Sequence, residues 1–252
     1  MSEHADPLTL SVLSLRYSSW SMRAWLTLTH AGIDFTTDTA PVKVGHQNTA
    51  EGTTSGGLSP LEDLPNRRAL GSVTGLFPVL WVGDAPIHES LAICEWAHEA
   101  APDARLWPEA ALDRAQARAI CSEMVSGFLH VRQHLSCHPF ARVPDFSPDA
   151  PTQREIDRIM EIWTACLDRS GGPFLFGHPT IADFVYFPVV TRFETYGVEV
   201  PEPLKAYGEA MWGLDAVQCW RRLGLQSPRI PVYDAYIESL GGDPVEGEQA
   251  RA

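Results

Sequence analysis

The chain has 252 residues, 44% of them hydrophobic and 10% aromatic, enough for one large buried core or two ordinary ones and unlike a disordered chain. With 32 acidic against 19 basic residues the net charge is −13, which argues against a nucleic-acid surface or an anionic membrane as the main partner. No apolar run is long enough to span a bilayer, and the start, MSEHADPLTL, lacks a basic segment followed by an apolar stretch. A cytoplasmic location is therefore expected. Cys94, Cys121, Cys137, Cys166 and Cys219 are widely spaced with no CxxC, so they read as ordinary thiols. The nine histidines show no metal-type spacing, and no metal is expected.

Leu8 to Leu15 alternates apolar with small polar residues, as a strand does. From Ser21 to His30, Met22, Trp25, Leu26 and Thr29 recur at helical spacing, and Gly32 provides a stop. A short second strand is predicted near Asp34 to Ala40. The stretch from Lys43 to Gly75 is rich in Gly, Thr, Ser and Asn to residue 57, which predicts loops and one short helix. Leu76 to Val82 reads as a third strand, Gly83-Asp84 as a tight turn into a fourth near Pro86, and Ser90 to Ala100 as an apolar-striped helix. The order βαβ, then ββα, is that of an α/β thioredoxin-like domain over residues 1–100.

Pro102 and Pro108 bracket a linker at 101–109. Beyond it the patterns are helical: Leu112 to Leu135, Thr152 to Asp168, Ile181 to Tyr196, Leu204 to Trp212 and Val217 to Leu223. An all-α C-terminal helical bundle over residues 110–240 is expected, followed by a polar tail at 241–252.

Four places could carry chemistry. Tyr17, Ser18, Ser19 and Trp20 lie between the first strand and the first helix, where hydroxyls meet free backbone N–H groups and the positive end of the helix dipole. Such a place stabilises an anion, including a thiolate, although serines there also serve as plain caps. Pro78, inside a strand, cannot donate to the ladder; a cis Phe77-Pro78 bond or an edge position would accommodate it. At the next strand–helix junction Glu89 can accept from an ammonium, and Ser90 can bind a carboxylate or simply cap its helix. Thr180-Ile181-Ala182-Asp183 fits a capping box that fixes the start of a core helix.

In this order and at about this spacing, the four features resemble those of cytosolic glutathione transferases across residues 8–225. The SSWSMR stretch is similar to the serine-type bacterial members and to the SSCSWR of the zeta class. The resemblance implies that Ser18 activates the glutathione thiol, with Ser19 close behind and Tyr17 as a third candidate. It also implies that Phe77 and Pro78 present main chain to the cysteinyl part of glutathione, and that Glu89 and Ser90 hold the γ-glutamyl end. A second-substrate pocket is expected between the 17–20 loop and the helical domain, with Trp20, Met124 and Phe128 on its wall; core packing is the alternative for the last two. Arg118 and Arg132 are candidate contacts for an anionic substrate, with a solvated helix face as the alternative.

Two departures stand out. SVTGLFP replaces the family's usual S-G-K-V-P, and the 43–70 segment is longer and more loop-like than usual, so no residue is assigned to the glycyl carboxylate. The resemblance implies glutathione as cosubstrate, a small electrophilic substrate and a homodimer. Three functions follow from it: thiolate attack on an electrophile, glutathione-dependent cis-trans isomerisation of a dicarboxylic acid (maleylacetoacetate or maleylpyruvate type), or a non-catalytic glutathione-binding or interaction module.

Overall fold

The computed structural model describes residues 6–39, 48–49, 52–53 and 64–249. The first unit is a mixed sheet built from β1 (Leu8–Val12), β2 (Thr36–Thr39), β5 (Val79–Val82) and β6 (Ala85–His88), in the order β2-β1-β5-β6. A short hairpin, β3 (Asn48–Thr49) with β4 (Gly52–Thr53), pairs separately. β1 and β2 run parallel, joined by α1 (Ser19–His30), while β5 and β6 run antiparallel and lead into α3 (Ser90–Ala100). This is the βαβ-ββα arrangement expected from the sequence. α2 (Leu64–Ala69) supplies the short helix expected in the 43–75 segment; most of the rest of its polar part lies outside the described residues.

Every residue from Ser21 to Leu28 is buried. The reason is that α1 packs on α3 beside the sheet and also touches α7 (Ile181–Thr195) and α9 (Asp215–Gln226) of the helical unit. Gly32, in the left-handed region at φ 69°, ends the helix, and the Ile33 N–H returns to the Leu28 carbonyl at 3.1 Å.

The helical unit comprises α4 (Ala111–Ser126), α5 (Leu129–His134), α6 (Ala150–Ser170), α7, α8 (Glu202–Trp212), α9 and α10 (Pro231–Ser239). α7 is the central one: Ile181 through Phe193 are all buried, as an all-round apolar helix demands. Its start is the expected capping box. Asp183 accepts from the Thr180 N–H and hydroxyl, both at 2.8 Å, and from the Leu175 N–H at 3.0 Å. The linker is anchored in this core through Leu106 and Trp107, both buried.

Three expectations need correcting. The single helix expected over Leu112 to Leu135 is broken at Gly127 and Phe128. Phe128 takes φ 54°, and a Cβ on residue 127 would meet the Glu123 carbonyl oxygen at 2.8 Å, so glycine there and the left-handed turn stop α4. The strand expected from Leu76 begins only at Val79, leaving Phe77 and Pro78 ahead of the ladder. The stretch read as a polar tail is docked where it is described: Asp243 pairs with Arg142, and the Gly247 N–H bonds the Phe140 carbonyl at 2.9 Å. A Cβ on residue 247 would lie 2.8 Å from the Phe140 backbone, so the close approach needs glycine. α10 was not among the expected helices.

Replacing Asp183 with alanine strips the partners from two buried N–H groups and a buried hydroxyl. A loss of about 2–4 kcal/mol of unfolding free energy is expected in urea denaturation, with the m-value unchanged.

Candidate functional site

Strand register brings the candidate residues to one end of the sheet. Ser11 of β1 lies opposite Val79 of β5, and Val79 lies opposite His88 of β6. The chain leaving β1, the chain entering β5 and the chain leaving β6 therefore emerge side by side. They carry, respectively, residues 13–20, Phe77-Pro78 and Glu89-Ser90.

Ser18 is the N-cap of α1: its hydroxyl oxygen accepts from the Ser21 N–H at 3.2 Å. The capping role and an anion-stabilising role are compatible. A hydroxyl that accepts through its oxygen keeps its hydrogen to donate, here beside the positive end of a twelve-residue helix. The Ser19 hydroxyl accepts from Arg192 Nη2 at 3.3 Å and is likewise left with its hydrogen.

Tyr17 is engaged on the helical side through its hydroxyl. Its hydroxyl donates to Asp234 Oδ1 at 2.9 Å and accepts from the Ile230 N–H at 3.3 Å. Its ring stacks on Tyr233 at 4.7 Å and meets His138 edge-on at 4.9 Å. Burial, reinforced by the Asp234 carboxylate against the lowering bond from Ile230, pushes the phenol up to about 12.

The Phe77-Pro78 peptide bond is cis. Neither the N–H nor the carbonyl of Phe77 has a hydrogen-bond partner among the described residues, so both stand open beside the sheet. Glu89 occupies the cap position of α3 at φ 72°, with no cap bond from its side chain, and Ser90 is the first helical residue rather than the cap. A left-handed glutamate costs on the order of 1–3 kcal/mol, a strain that concentrates at functional sites. Here it leaves an exposed carboxylate beside the free N–H groups of the α3 terminus.

The expected second-substrate residues fare differently. Trp20 is half-buried between the two units, with the guanidinium carbons of Arg23 and Arg132 at 4.3 and 5.7 Å from its ring centre. Met124 is fully enclosed and Phe128 nearly so, which places both in the core rather than on an open wall. Arg118 is taken up by Glu95 of α3 at 2.8 and 3.1 Å. The sequence reading missed Arg23 and Arg192, because nothing in their local spacing shows that α1 and α7 meet.

It also missed a histidine pair at helical spacing. His130, His134 and Asp149 come together with ligand atoms within 4.8 Å. Local bonds account for two of the three: Asp149 caps α6 through the Thr152 N–H at 2.8 Å, and His134 Nδ1 shares a hydrogen bond with the Thr152 hydroxyl at 2.7 Å.

A thioredoxin-like sheet carrying a capped helix terminus, an open main-chain edge and an acidic-Ser junction, joined to an all-helical unit, defines a glutathione-transferase-type architecture. The sequence profile of the glutathione S-transferase N-terminal domain matches residues 17–100, and that of the C-terminal domain matches residues 109–212. The chain belongs to the glutathione S-transferase family. Among solved structures it is similar to a glutathione transferase homologue from Burkholderia with bound glutathione, at 22% identity and a TM-score of 0.63, covering 87% of this chain and 98% of that one. It is also similar to a maleylacetoacetate isomerase from Anaeromyxobacter dehalogenans with glutathione in its active site, at 23% identity and a TM-score of 0.58, covering 85% and 95%. A Tau-class glutathione S-transferase from mango matches at 19% identity and a TM-score of 0.58, covering 87% and 96%. At such identities the likeness is one of fold. No curated protein sequence matches at a significant level.

The Asp234 hub gives a pH dependence. Burial holds His138 below its ordinary value, against the raising bond to Asp234 at 2.8 Å. Burial opposes but does not prevent the lowering of Asp234 by His138, Tyr17 and Arg229. Below about pH 6.5 the unfolded chain takes up a proton at His138 that the folded chain resists, so stability falls on acidification. The melting temperature should drop between pH 7 and pH 5, with a shallower slope in His138→Gln.

Proposed function

We propose that this chain is a glutathione-dependent enzyme in which the Ser18 hydroxyl stabilises the thiolate of bound glutathione for attack on a small electrophile. The observation that carries the reading is the Ser18 hydroxyl itself. Its oxygen is used by the Ser21 N–H, and its hydrogen is available at the mouth of α1. The surrounding groups suit a tripeptide. Phe77 offers an unpaired N–H and carbonyl, Glu89 an exposed carboxylate for an ammonium, and Ser90 the N-terminal end of α3 for a carboxylate.

A free thiol near pKa 8.5 is mostly protonated at neutral pH, and lowering it by two units takes roughly 2.7 kcal/mol of differential stabilisation. A hydrogen bond to a charged group contributes about 1.5–3 kcal/mol and a helix terminus about 0.3–1 kcal/mol. Together they suffice. The thiol proton leaves to solvent. The sulfur lone pair forms the new carbon–sulfur bond as the bond from that carbon to its leaving group breaks, the leaving group departing to solvent with the electron pair. Orientation by the helical unit supplies much of the remaining acceleration. A homodimer belongs to the same proposal, and light scattering of the purified protein reports it.

Ser18→Ala should raise the thiol pKa of bound glutathione by one to two units, roughly a three- to 25-fold loss of thiolate at pH 7 from a starting pKa near 6.5, and lower kcat/KM to match. Tyr17→Phe should leave that pKa unchanged. Titration of thiolate absorbance with glutathione bound measures both. An unshifted thiol in the wild-type chain would favour a binding module, and recovery of unmodified glutathione after turnover would favour isomerisation over transfer.

A further inference from the structure

Arg23, Arg132 and Arg192 gather where α1 meets the helical unit, and no carboxylate lies within salt-bridge distance of any of them among the described residues. Arg23 is fully buried. Its Nε donates to the Val185 carbonyl at 3.0 Å, while Nη1 and Nη2 are enclosed and have no partner among the described residues. Arg192 is 4% exposed and spends its donors on the Leu135 carbonyl, the Pro188 carbonyl and the Ser19 hydroxyl, at 2.7, 3.1 and 3.3 Å. Arg132, half-buried, donates to the Val125 carbonyl at 3.1 Å near the end of α4. Every partner of the three is a neutral oxygen.

Buried polar groups normally find partners, and buried like charges without a counterion are unfavourable. Burial first, then Arg192 and Arg132, push Arg23 down to about 9, which still leaves it a cation at neutral pH. The thiols facing it offer no compensation: burial pushes Cys94 up to about 12 and raises Cys137, so both stay neutral. Glu155, the carboxylate that acts on Arg132, accepts instead from the Val131 N–H at 2.8 Å.

We propose that Arg23, Arg132 and Arg192, grouped around Trp20 and Ser19, form an anion site that receives a carboxylate carried by the second substrate. The proposal rests on the glutathione reading given above. Guanidinium forks match a planar carboxylate, and Trp20 gives an apolar face for the attached carbon skeleton. The site lies on the helical side of Ser18, beside α7. The groups suited to glutathione lie on the opposite side, at β5, β6 and α3. Trp20 and Arg132, the half-buried members, form the approach, with the Trp20 ring lying 4.3 Å from the Arg23 guanidinium.

Isothermal titration of the full chain with succinate, in low-salt buffer without glutathione, tests this, with succinamide as the neutral control. Succinate is expected to bind, succinamide not, and Arg132→Gln to weaken succinate about tenfold while leaving glutathione affinity unchanged. Arg23→Met should do the same to succinate. Should it fail to fold, by its thermal transition, the half-buried Arg132 variant still decides. Absence of succinate binding, equal binding of succinamide, or an unchanged Arg132→Gln overturns the proposal. Sulfate displacing succinate at equal affinity marks a simple inorganic-anion site and overturns the assignment to a substrate. Loss of glutathione affinity in Arg132→Gln assigns the trio to the tripeptide and overturns it too. If wild-type chain binds succinate but not glutathione, the anion site stands and the glutathione reading falls.

Discussion

The turn from β1 into α1, closed locally by bonds to Ser14 and Ser21, is tied at successive residues to the helical side, and the geometry of the site depends on that hold. The Leu15 carbonyl accepts from Trp220 Nε1 at 2.9 Å, and Arg16 pairs with Glu248. Tyr17 bonds Asp234, Ser19 bonds Arg192, and Arg23 bonds the Val185 carbonyl. Ser18 differs: its side-chain bond is to its own helix, through the Ser21 N–H. A chain anchored on both sides of one residue fixes that residue's hydroxyl without consuming its hydrogen. Preorganisation of this kind lets a single donor act on a charge that develops later.

The electrostatics of the same region run against those of the molecule as a whole. The net charge is −13, yet the inner seam carries Arg16, Arg23, Arg132 and Arg192, and among the described residues only Arg16 has a carboxylate partner. Added to the dipole of α1, these cations make the junction a local positive site inside an acidic protein. The docked C-terminal stretch takes part in that balance. Glu248 neutralises Arg16, its backbone carbonyl accepts from Arg221 at 2.8 Å, and Asp234 of α10 answers Arg229 and His138. The site therefore depends on residues that enter the chain more than 200 positions after it, as the 217-residue span between Tyr17 and Asp234 shows.

That span marks the boundary of what the sequence could reveal. Local signals were legible: the alternation of Leu8 to Val12, the helical spacing after Ser21, the stop at Gly32 and the capping box at Thr180–Asp183 all depend on near neighbours, and the structure has them. Ser18, Phe77, Pro78, Glu89 and Ser90 could be named as candidates because each sits at a strand–helix junction or strand start, and register brings them together. What stayed hidden was long-range. The pairing of Tyr17 with Asp234 and of Arg192 with Ser19 has no local signature. The break at Gly127–Phe128 turns on a close backbone approach, and the docking of residues 241–249 turns on glycines that otherwise read as a loose tail. Met124 and Phe128 fitted a core somewhat better than a pocket wall but were compatible with both, because apolar periodicity does not tell which side of a helix opens to a ligand.

A crystal structure of the chain with glutathione bound tests the central claim most directly. The cysteinyl sulfur should lie within hydrogen-bonding distance of Ser18 Oγ, with Tyr17 still bonded to Asp234. A sulfur beyond the reach of Ser18, or one met by a different donor, would contradict the account.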